Sequence, residues 1–318
     1  MNQEKSKIIK EYFPQARFSE PLSKHCTFRI GGPAEAFIEI DDLSEQNQEN
    51  LVNLTKYLQK SKIPYIIIGG GSNVLFHDKG FKGTVIKITA KTLKFTKTTL
   101  EADAGAILQN ILKEASKRGF YNLQPFIGIP GTLGGAIYGN AGANGLEIKD
   151  VLKESIIFNP RLSLIYKATP ETLKFKYRHS NLKETKEIVL KATLNLSKAA
   201  KHKTLAKKLS TKRTQTQPYG LSAGSFFKNP DPRRSSAQHL KAGYLIDQCG
   251  LKGRQIGQAK ISGKHANFIQ NAGTLKNPAT QKDVIRLADL AKKEVRRKFK
   301  IDLKEEVQII PYKPKKSM

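Results

Sequence analysis

The residues of this chain best suited to chemistry are glycines. Between Gly128 and Gly145 the sequence GIPGTLGGAIYGNAGANG places glycine at 128, 131, 134, 135, 139, 142 and 145 and carries no charged side chain. A segment like that gains little from side-chain packing, so its glycines serve close backbone approach or positive φ angles. Consecutive N–H groups in such a loop form concave nests for anions, and the anion implied is a diphosphate. A run of tight turns between short strands would give the same composition. A second cluster sharpens the case: Tyr65-Ile66-Ile67-Ile68 reads as a short buried strand running into Gly69-Gly70-Gly71-Ser72-Asn73, the grammar of a phosphate-binding loop. This is not the dinucleotide fingerprint, because GxGxxG needs glycine or alanine where Val74 stands. Nor is there a P-loop: Gly263-Lys264 is followed by His265, and Gln258 stands where the upstream glycine is required. Any nucleotide is held by another fold.

Three polar islands are the other candidates for chemistry: Tyr177-Arg178-His179-Ser180, Gly224-Ser225-Phe226-Phe227-Lys228-Asn229-Pro230, and Leu303-Lys304-Glu305-Glu306-Val307. Singly each has an ordinary reading. An Arg after aromatic residues suits a strand edge, Gly-Ser before aromatics suits a turn, and a Glu opening a terminal strand suits a solvated edge.

The elements that must position these groups follow from periodicity. Leu51, Leu54 and Leu58 recur at helical spacing, and Ile63-Pro64 then turns the chain into the strand at Ile66. Thr84 to Thr89 alternates as a strand, while Ile107, Ile111, Leu112 and Ala115 mark a helix stopped by Gly119. Strands are expected at Leu152 to Phe158 and, by strict alternation, through Ile188, Leu190, Ala192, Leu194 and Leu196. The basic stretch from Lys198 to Arg213 reads as a boundary, with a polar, irregular region beyond it up to Thr280. There TQKD forms a capping box that opens an amphipathic helix through Val284, Leu287, Leu290, Ala291 and Val295. A last strand, Glu306 to Ile310, ends at Pro311. The mixture is α+β, with an alternation too irregular for a doubly wound sheet.

The 318 residues suffice for one large core or two to three modest ones, and 38% hydrophobic content is ordinary for a globular enzyme. No apolar run approaches the ~18 residues that span a bilayer, and MNQEKSKIIKEYF lacks the apolar region of a signal peptide. Both point to the cytoplasm. Cys26 and Cys249 give neither a disulfide framework nor metal-ligand spacing, so no metal is expected. Lys and Arg number 56 against 27 Asp and Glu, a net charge of +29 that attracts anions of every kind. The lysines are spread along the chain, including Arg296 to Lys300 and a tail at Lys313, Lys315 and Lys316. There is no Trp and no zinc-finger or RNP-type pattern, so solubility and attraction of small anionic substrates are expected rather than specific nucleic-acid recognition.

Taken in order, the glycine loops and polar islands resemble the UDP-N-acetylenolpyruvoylglucosamine reductases, the MurB family of flavoenzymes in peptidoglycan precursor synthesis. The resemblance is carried by TFRIGGPA at Thr27 to Ala34, IGGGSNVLF, GIPGTLGGAIYGNAGANG, KYRHS, SAGSFFKNP, GKHANFIQN and the EEV near the end. It spans nearly the whole chain. The short interval between Arg178 and Ser225 resembles the family's shorter, type II subclass, which lacks an extra substrate-covering loop. One departure is Gln124-Pro125, where the family usually reads glycine or glycine-leucine followed by Glu.

The resemblance implies an N-terminal extension over residues 1–20, then an FAD-binding domain of the vanillyl-alcohol-oxidase (PCMH) type over 21–200, with subdomains of about 21–90 and 91–200, and an α+β substrate-binding domain over 201–318. It implies noncovalent FAD, held by Gly69, Gly70, Gly71, Ser72, Asn73, Gly128, Pro130, Gly131, Thr132, Gly134, Gly135, Asn140, Ala141 and Gly142. His77 and Cys26, the residue types that usually carry a covalent flavin link, lie outside the matching blocks. NADPH is the implied cosubstrate and a UDP-sugar enolpyruvate the substrate, with no membrane partner and a monomeric chain.

Hydride arrival at the enolpyruvyl methylene leaves negative charge on the neighbouring carbon and its carboxylate. A fixed cation there lowers the barrier where charge develops. The resemblance gives that role to Arg178, with Glu306 polarising or orienting the carboxylate, either protonated or through an intervening cation. It gives protonation of the carbanion to Ser225. Lys228 and Asn229 either assist that hydroxyl or bind the substrate's diphosphate, for which Arg213 and Gln217 are further candidates. His265 and Asn267 are expected to be structural or substrate-loop groups. Two rival readings remain: another FAD oxidoreductase of the same superfamily, which need not keep Arg178, Ser225 and Glu306 in this order, and a basic nucleic-acid-binding protein.

Overall fold

The computed structural model describes residues 2–230, 241–274 and 276–314, so Lys315 and Lys316 lie outside the described residues. The chain forms two compact units that do not follow chain order. The first comprises residues 1–19, 35–70 and 83–213, and the second residues 20–34, 71–82 and 214–318.

In the first unit the expected alternation at Ile188 to Leu194 builds the centre of a sheet. The strand Ile188–Asn195 buries Leu190, Ala192 and Leu194 and is flanked by antiparallel strands. The order is Leu164–Ala168, Leu152–Asn159, Ile188–Asn195, Thr99–Asp103, Leu93–Phe95, with Leu194 opposite Leu100. The helix Leu108–Lys117 buries Leu108, Ile111, Leu112 and Ala115, a stripe at helical spacing. It stops as the sequence predicts: Gly119 takes φ +80°, with the N–H of Phe120 donating to Ala115 O and that of Gly119 to Ser116 O. This is the paired closure that a left-handed glycine permits. A second sheet runs Arg17–Pro21, Pro33–Ile40, Phe81–Ile88, Tyr65–Ile68, the last two strands parallel with Tyr65 opposite Thr84. The strand into the first glycine loop is thereby an edge strand. Residues 1–20 include a helix, Gln3–Tyr12, capped by Asn2 through the Lys5 N–H, and Ile9 and Phe13 are buried in the same core as Leu51, Leu54 and Leu58.

In the second unit a four-stranded antiparallel sheet runs Leu221–Ser225, Phe268–Asn271, Ala259–Ile261, Gln255–Ile256. The capping box is present: Thr280 Oγ1 accepts from Asp283 N at 3.0 Å and Asp283 Oδ2 from Thr280 N at 3.2 Å. The helix it opens, Gln281–Phe299, buries Val284, Leu287, Ala288, Ala291 and Val295 against that sheet. The helix Leu205–Thr216 runs through the basic stretch read as a boundary, and the region beyond it, expected to be irregular up to Thr280, holds among its described residues the helix Ala242–Gln248 as well as the sheet. Its strands are two to five residues long, too short for period-2 patterning to register. The final strand is Gln308–Ile310, parallel to Val74–Phe76. It begins later than Glu306 because the Glu306 N–H donates to Phe226 O instead.

Candidate active site

The two glycine loops meet within the first unit. The strand Tyr65–Ile68 delivers Gly69 and Gly70 against Gly131 and Thr132. A Cβ at Gly69 would collide with Thr132 Oγ1, and one at Gly70 would come within 2.9 Å of Gly131 Cα. Neither position has room for a side chain. Gly131 itself takes φ +106° and Gly128 φ +75°, where glycine is favoured over residues with a Cβ. Beyond them Gly134 lets the short helix Leu133–Gly139 close on Ala104, whose carbonyl accepts from the Gly134 N–H at 2.8 Å. Thr132 Oγ1 is buried with no hydrogen-bond partner among the described residues. An orphaned hydroxyl beside glycines packed to backbone contact fits a cradle whose remaining polar partner is a ligand.

The glycine segment ends on a polar anchor. Asn140, fully buried with φ 43°, donates through Nδ2 to Glu147 Oε2 and Lys176 O, each at 3.0 Å, and accepts from Lys149 N. The next island docks here. Lys176 and His179 exchange backbone hydrogen bonds, leaving Tyr177 and Arg178 at the tip of a tight turn where Arg178 takes φ 53°. Arg178 Nη2 donates to Gly142 O at 2.7 Å, while Ser180 Oγ fastens the turn to Tyr138 O at 2.8 Å. Lys183 Nζ donates to the Arg178 carbonyl at 2.8 Å. The fold thus brings Arg178 to the end of the second glycine loop. Arg213, on the helix Leu205–Thr216, donates to Ile127 O at 2.8 Å, and burial pulls its pKa down.

The second unit gathers the remaining residues. Gly71, with φ +65°, sits so close to the His25 carbonyl that a Cβ would overlap it. Thr27 then joins two segments: its N–H donates to Gly71 O at 3.0 Å and its hydroxyl to Ser222 O at 2.6 Å. Ser222 and Ser225 lie on one strand. Asn73 Nδ2 donates to Glu306 O at 3.2 Å, and Asn73 O accepts from Gln308 N. Ser225 and Glu306 come to adjacent backbone segments because Phe226 O accepts from Glu306 N at 2.8 Å and Lys304 O from Lys228 N at 2.8 Å. Glu305, between them, pairs with Lys292. Asn229 Oδ1 accepts from Ala242 N at 3.1 Å at the start of the helix Ala242–Gln248, so that side chain is engaged in capping. Ser225, Lys228, Glu306 and Gln217 are half-buried and Asn229 is exposed.

Two residues whose roles spacing did not reveal hold this arrangement. Asn267 is 3% exposed and clamps the Phe226-Phe227 backbone: its carbonyl accepts from Phe226 N, its Oδ1 from Phe227 N at 2.9 Å, and its Nδ2 donates to Phe227 O at 2.8 Å. His265, whose Nδ1 accepts from Asn267 N, has its pKa lowered by burial. The other is Thr27, inside the TFRIGGPA block. Among the described residues no group of His, Cys, Asp or Glu is arranged to hold a metal, and no helix is long and apolar enough to cross a membrane.

Along most of its length the chain is similar to known proteins. A family profile for the FAD binding domain matches residues 45–160, and one for the C-terminal domain of UDP-N-acetylenolpyruvoylglucosamine reductase matches residues 216–310. A UDP-N-acetylenolpyruvoylglucosamine reductase from Caldanaerobacter subterraneus subsp. tengcongensis is 37% identical over 309 residues, covering 95% of this chain and 96% of the relative. The proteins of the same name from Chlamydia felis, 38% identical, and Bacillus subtilis, 37% identical, each cover 92% of this chain and are themselves covered to 93%. The crystal structure of UDP-N-acetylenolpyruvylglucosamine reductase from Thermus caldophilus superposes with a TM-score of 0.75 at 31% identity, covering 93% of this chain and 98% of that one.

Proposed function

The chain belongs to the UDP-N-acetylenolpyruvoylglucosamine reductase family, and from that premise we propose how its own residues divide the reaction. It is an FAD-dependent oxidoreductase of peptidoglycan precursor synthesis that uses NADPH to reduce UDP-N-acetylglucosamine enolpyruvate to UDP-N-acetylmuramate. FAD bound at the glycine loops would supply the hydride chemistry that connects NADPH to the enolpyruvyl methylene. Gly69 to Asn73, Gly128, Pro130 to Thr132, Gly134, Gly135 and Asn140 to Gly142 hold it without a covalent bond. The orphaned Thr132 hydroxyl and the backbone packing at Gly69 and Gly70 support this reading.

Arg178 offsets the negative charge that develops on the substrate carboxylate, and Glu306 orients that carboxylate. The observation that carries the assignment is the Arg178 to Gly142 hydrogen bond, which fastens a guanidinium to the end of the second glycine loop. Ser225 gives its proton to the carbanion. Its strand is fixed on both sides, through Thr27 to Ser222 and through Phe226 to Glu306, which suits a hydroxyl that must meet one carbon. Lys228 and Gln217 bind the substrate diphosphate. Asn229 also borders that site from its place on the cap of the helix Ala242–Gln248. Residues 201–318 form the substrate-binding part. The reading is of a monomer with no specific nucleic-acid partner, acting where NADPH and UDP-sugars are made, in the cytoplasm.

The two halves of the reaction test the assignment of Ser225. Ser225→Ala should leave FAD content and flavin reduction by NADPH nearly intact while reoxidation by the enolpyruvyl substrate slows by ~10² to 10⁴, the usual cost of losing a general acid. Ser225→Cys should restore part of the rate. Stopped-flow traces separate the cases: equal slowing of both halves makes Ser225 a positioning group, and unchanged reoxidation removes it from the chemistry.

A further inference from the structure

The loop that reaches Gly128 and Gly131 has little to hold its shape from within, since its glycines occupy left-handed conformations open to few other residues. Two side chains from outside it do the holding. Gln109, on the helix Leu108–Lys117, spends its whole amide on the loop: Nε2 donates to Phe126 O at 3.1 Å and to Ile129 O at 2.9 Å, and Oε1 accepts from Gly128 N at 2.8 Å. Arg213 donates to the intervening carbonyl, Ile127 O, and its side chain covers Gly128 so closely that a Cβ there would lie 2.7 Å from Arg213 Cδ and 3.0 Å from Nε. Each of the consecutive residues Phe126, Ile127, Gly128 and Ile129 therefore has a backbone group tied to one of these two side chains. The helix that carries Gln109 is already secured by Leu108, Ile111, Leu112 and Ala115, so the amide is not required to dock it.

We propose that Gln109 and Arg213 are positioning residues that preform the FAD-binding loop: by tying residues 126–129, the Gly128 N–H included, they set Gly131 and Thr132 in place before the cofactor arrives. The inference rests on the flavin reading above. A loop fixed in its bound shape has less conformational entropy to lose on binding, and the gain appears as affinity. Arg213 thereby acts on the cofactor loop as a bound cation that stays charged at neutral pH despite its burial.

Titration of deflavinated full-length protein with FAD, followed by flavin fluorescence and absorbance, tests this alongside the melting temperature of apoprotein and holoprotein. Gln109→Glu keeps the size of the side chain but turns both N–H donors into acceptors facing two carbonyls. It should raise the FAD dissociation constant roughly 10- to 100-fold, with Gln109→Ala and Arg213→Lys at the lower end of that range. The stabilisation conferred by FAD should shrink accordingly, while the apoprotein melts close to wild type. FAD affinity equal to wild type in Gln109→Ala and Arg213→Lys overturns the proposal even if Gln109→Glu fails to fold. So does an equal fall in both melting temperatures with unchanged affinity, which marks plain structural support. Wild-type protein that takes up no FAD overturns the flavin reading itself, whereas tight wild-type binding with unaffected variants overturns only this one.

Discussion

Asn267→Ala is the substitution whose cost the structure lets us work out most directly. The Asn267 side chain serves both polar groups of the Phe227 backbone, and Phe227 is 1% exposed, so water cannot replace either bond without the segment opening. Leaving a buried donor or acceptor unpaired costs about 1–3 kcal/mol. Two such groups give a loss of about 4 kcal/mol, which for a chain of 318 residues lowers the melting temperature by roughly 6 °C. The Asn267 carbonyl still accepts from Phe226 N in the variant, and Ser225 remains paired opposite Phe268, so the strand should survive with a loosened end. Asn267→Asp makes the sharper comparison. It keeps the acceptor for Phe227 N but turns a carboxylate oxygen toward Phe227 O, so it should be at least as destabilising at neutral pH. It should recover as the pH falls and the carboxyl gains a proton to donate. Differential scanning calorimetry of the holoproteins, with turnover measured in parallel, checks both. A melting temperature within about 2 °C of wild type for Asn267→Ala would refute the reasoning, because it would mean that Phe227 finds other partners at no cost.

Gly70→Ala sets a Cβ 2.9 Å from Gly131 Cα, a backbone atom that cannot turn aside, and should yield folded protein depleted of flavin absorbance. Gly263→Ala, in open space, is its control and should stay yellow. His265 is held neutral by burial, its folded pKa lying below the unfolded value of about 6.5. Its contribution is therefore intact above about pH 6.5 and is lost as the pH falls through the depressed folded pKa. Thermal melts between pH 7.5 and 5.5 should show a smaller decline in His265→Gln than in wild type, and parallel declines would exclude His265 as a source of acid sensitivity.

Signals carried by neighbours in the chain were legible from the sequence. The stripe Ile111, Leu112, Ala115, the stop at Gly119, the Thr280 to Asp283 capping box and the alternation through Leu194 each depend on residues within a few positions of one another. The glycine loops were legible for the same reason, since both the strand Tyr65–Ile68 and the loop it enters are written consecutively. What Gly70 is for was not, because the group it must approach, Gly131, is distant in sequence. Gln109 gave no signal at all: on an amphipathic helix a lone Gln reads as a solvated residue, and only the folded chain brings the Phe126 to Ile129 turn to its amide. Arg213 was legible as a cation near an anion site, but its hold on Ile127 was decided by where the helix Leu205–Thr216 packs. The division into units was likewise a tertiary outcome. Residues 20–34 and 71–82 belong with the C-terminal part because Thr27 bonds to Ser222, Asn73 to Glu306, and Val74–Phe76 pairs with Gln308–Ile310. Local spacing specifies the elements and the loops between them. Which distant backbone groups share a hydrogen bond is fixed only when burial removes water as the alternative partner.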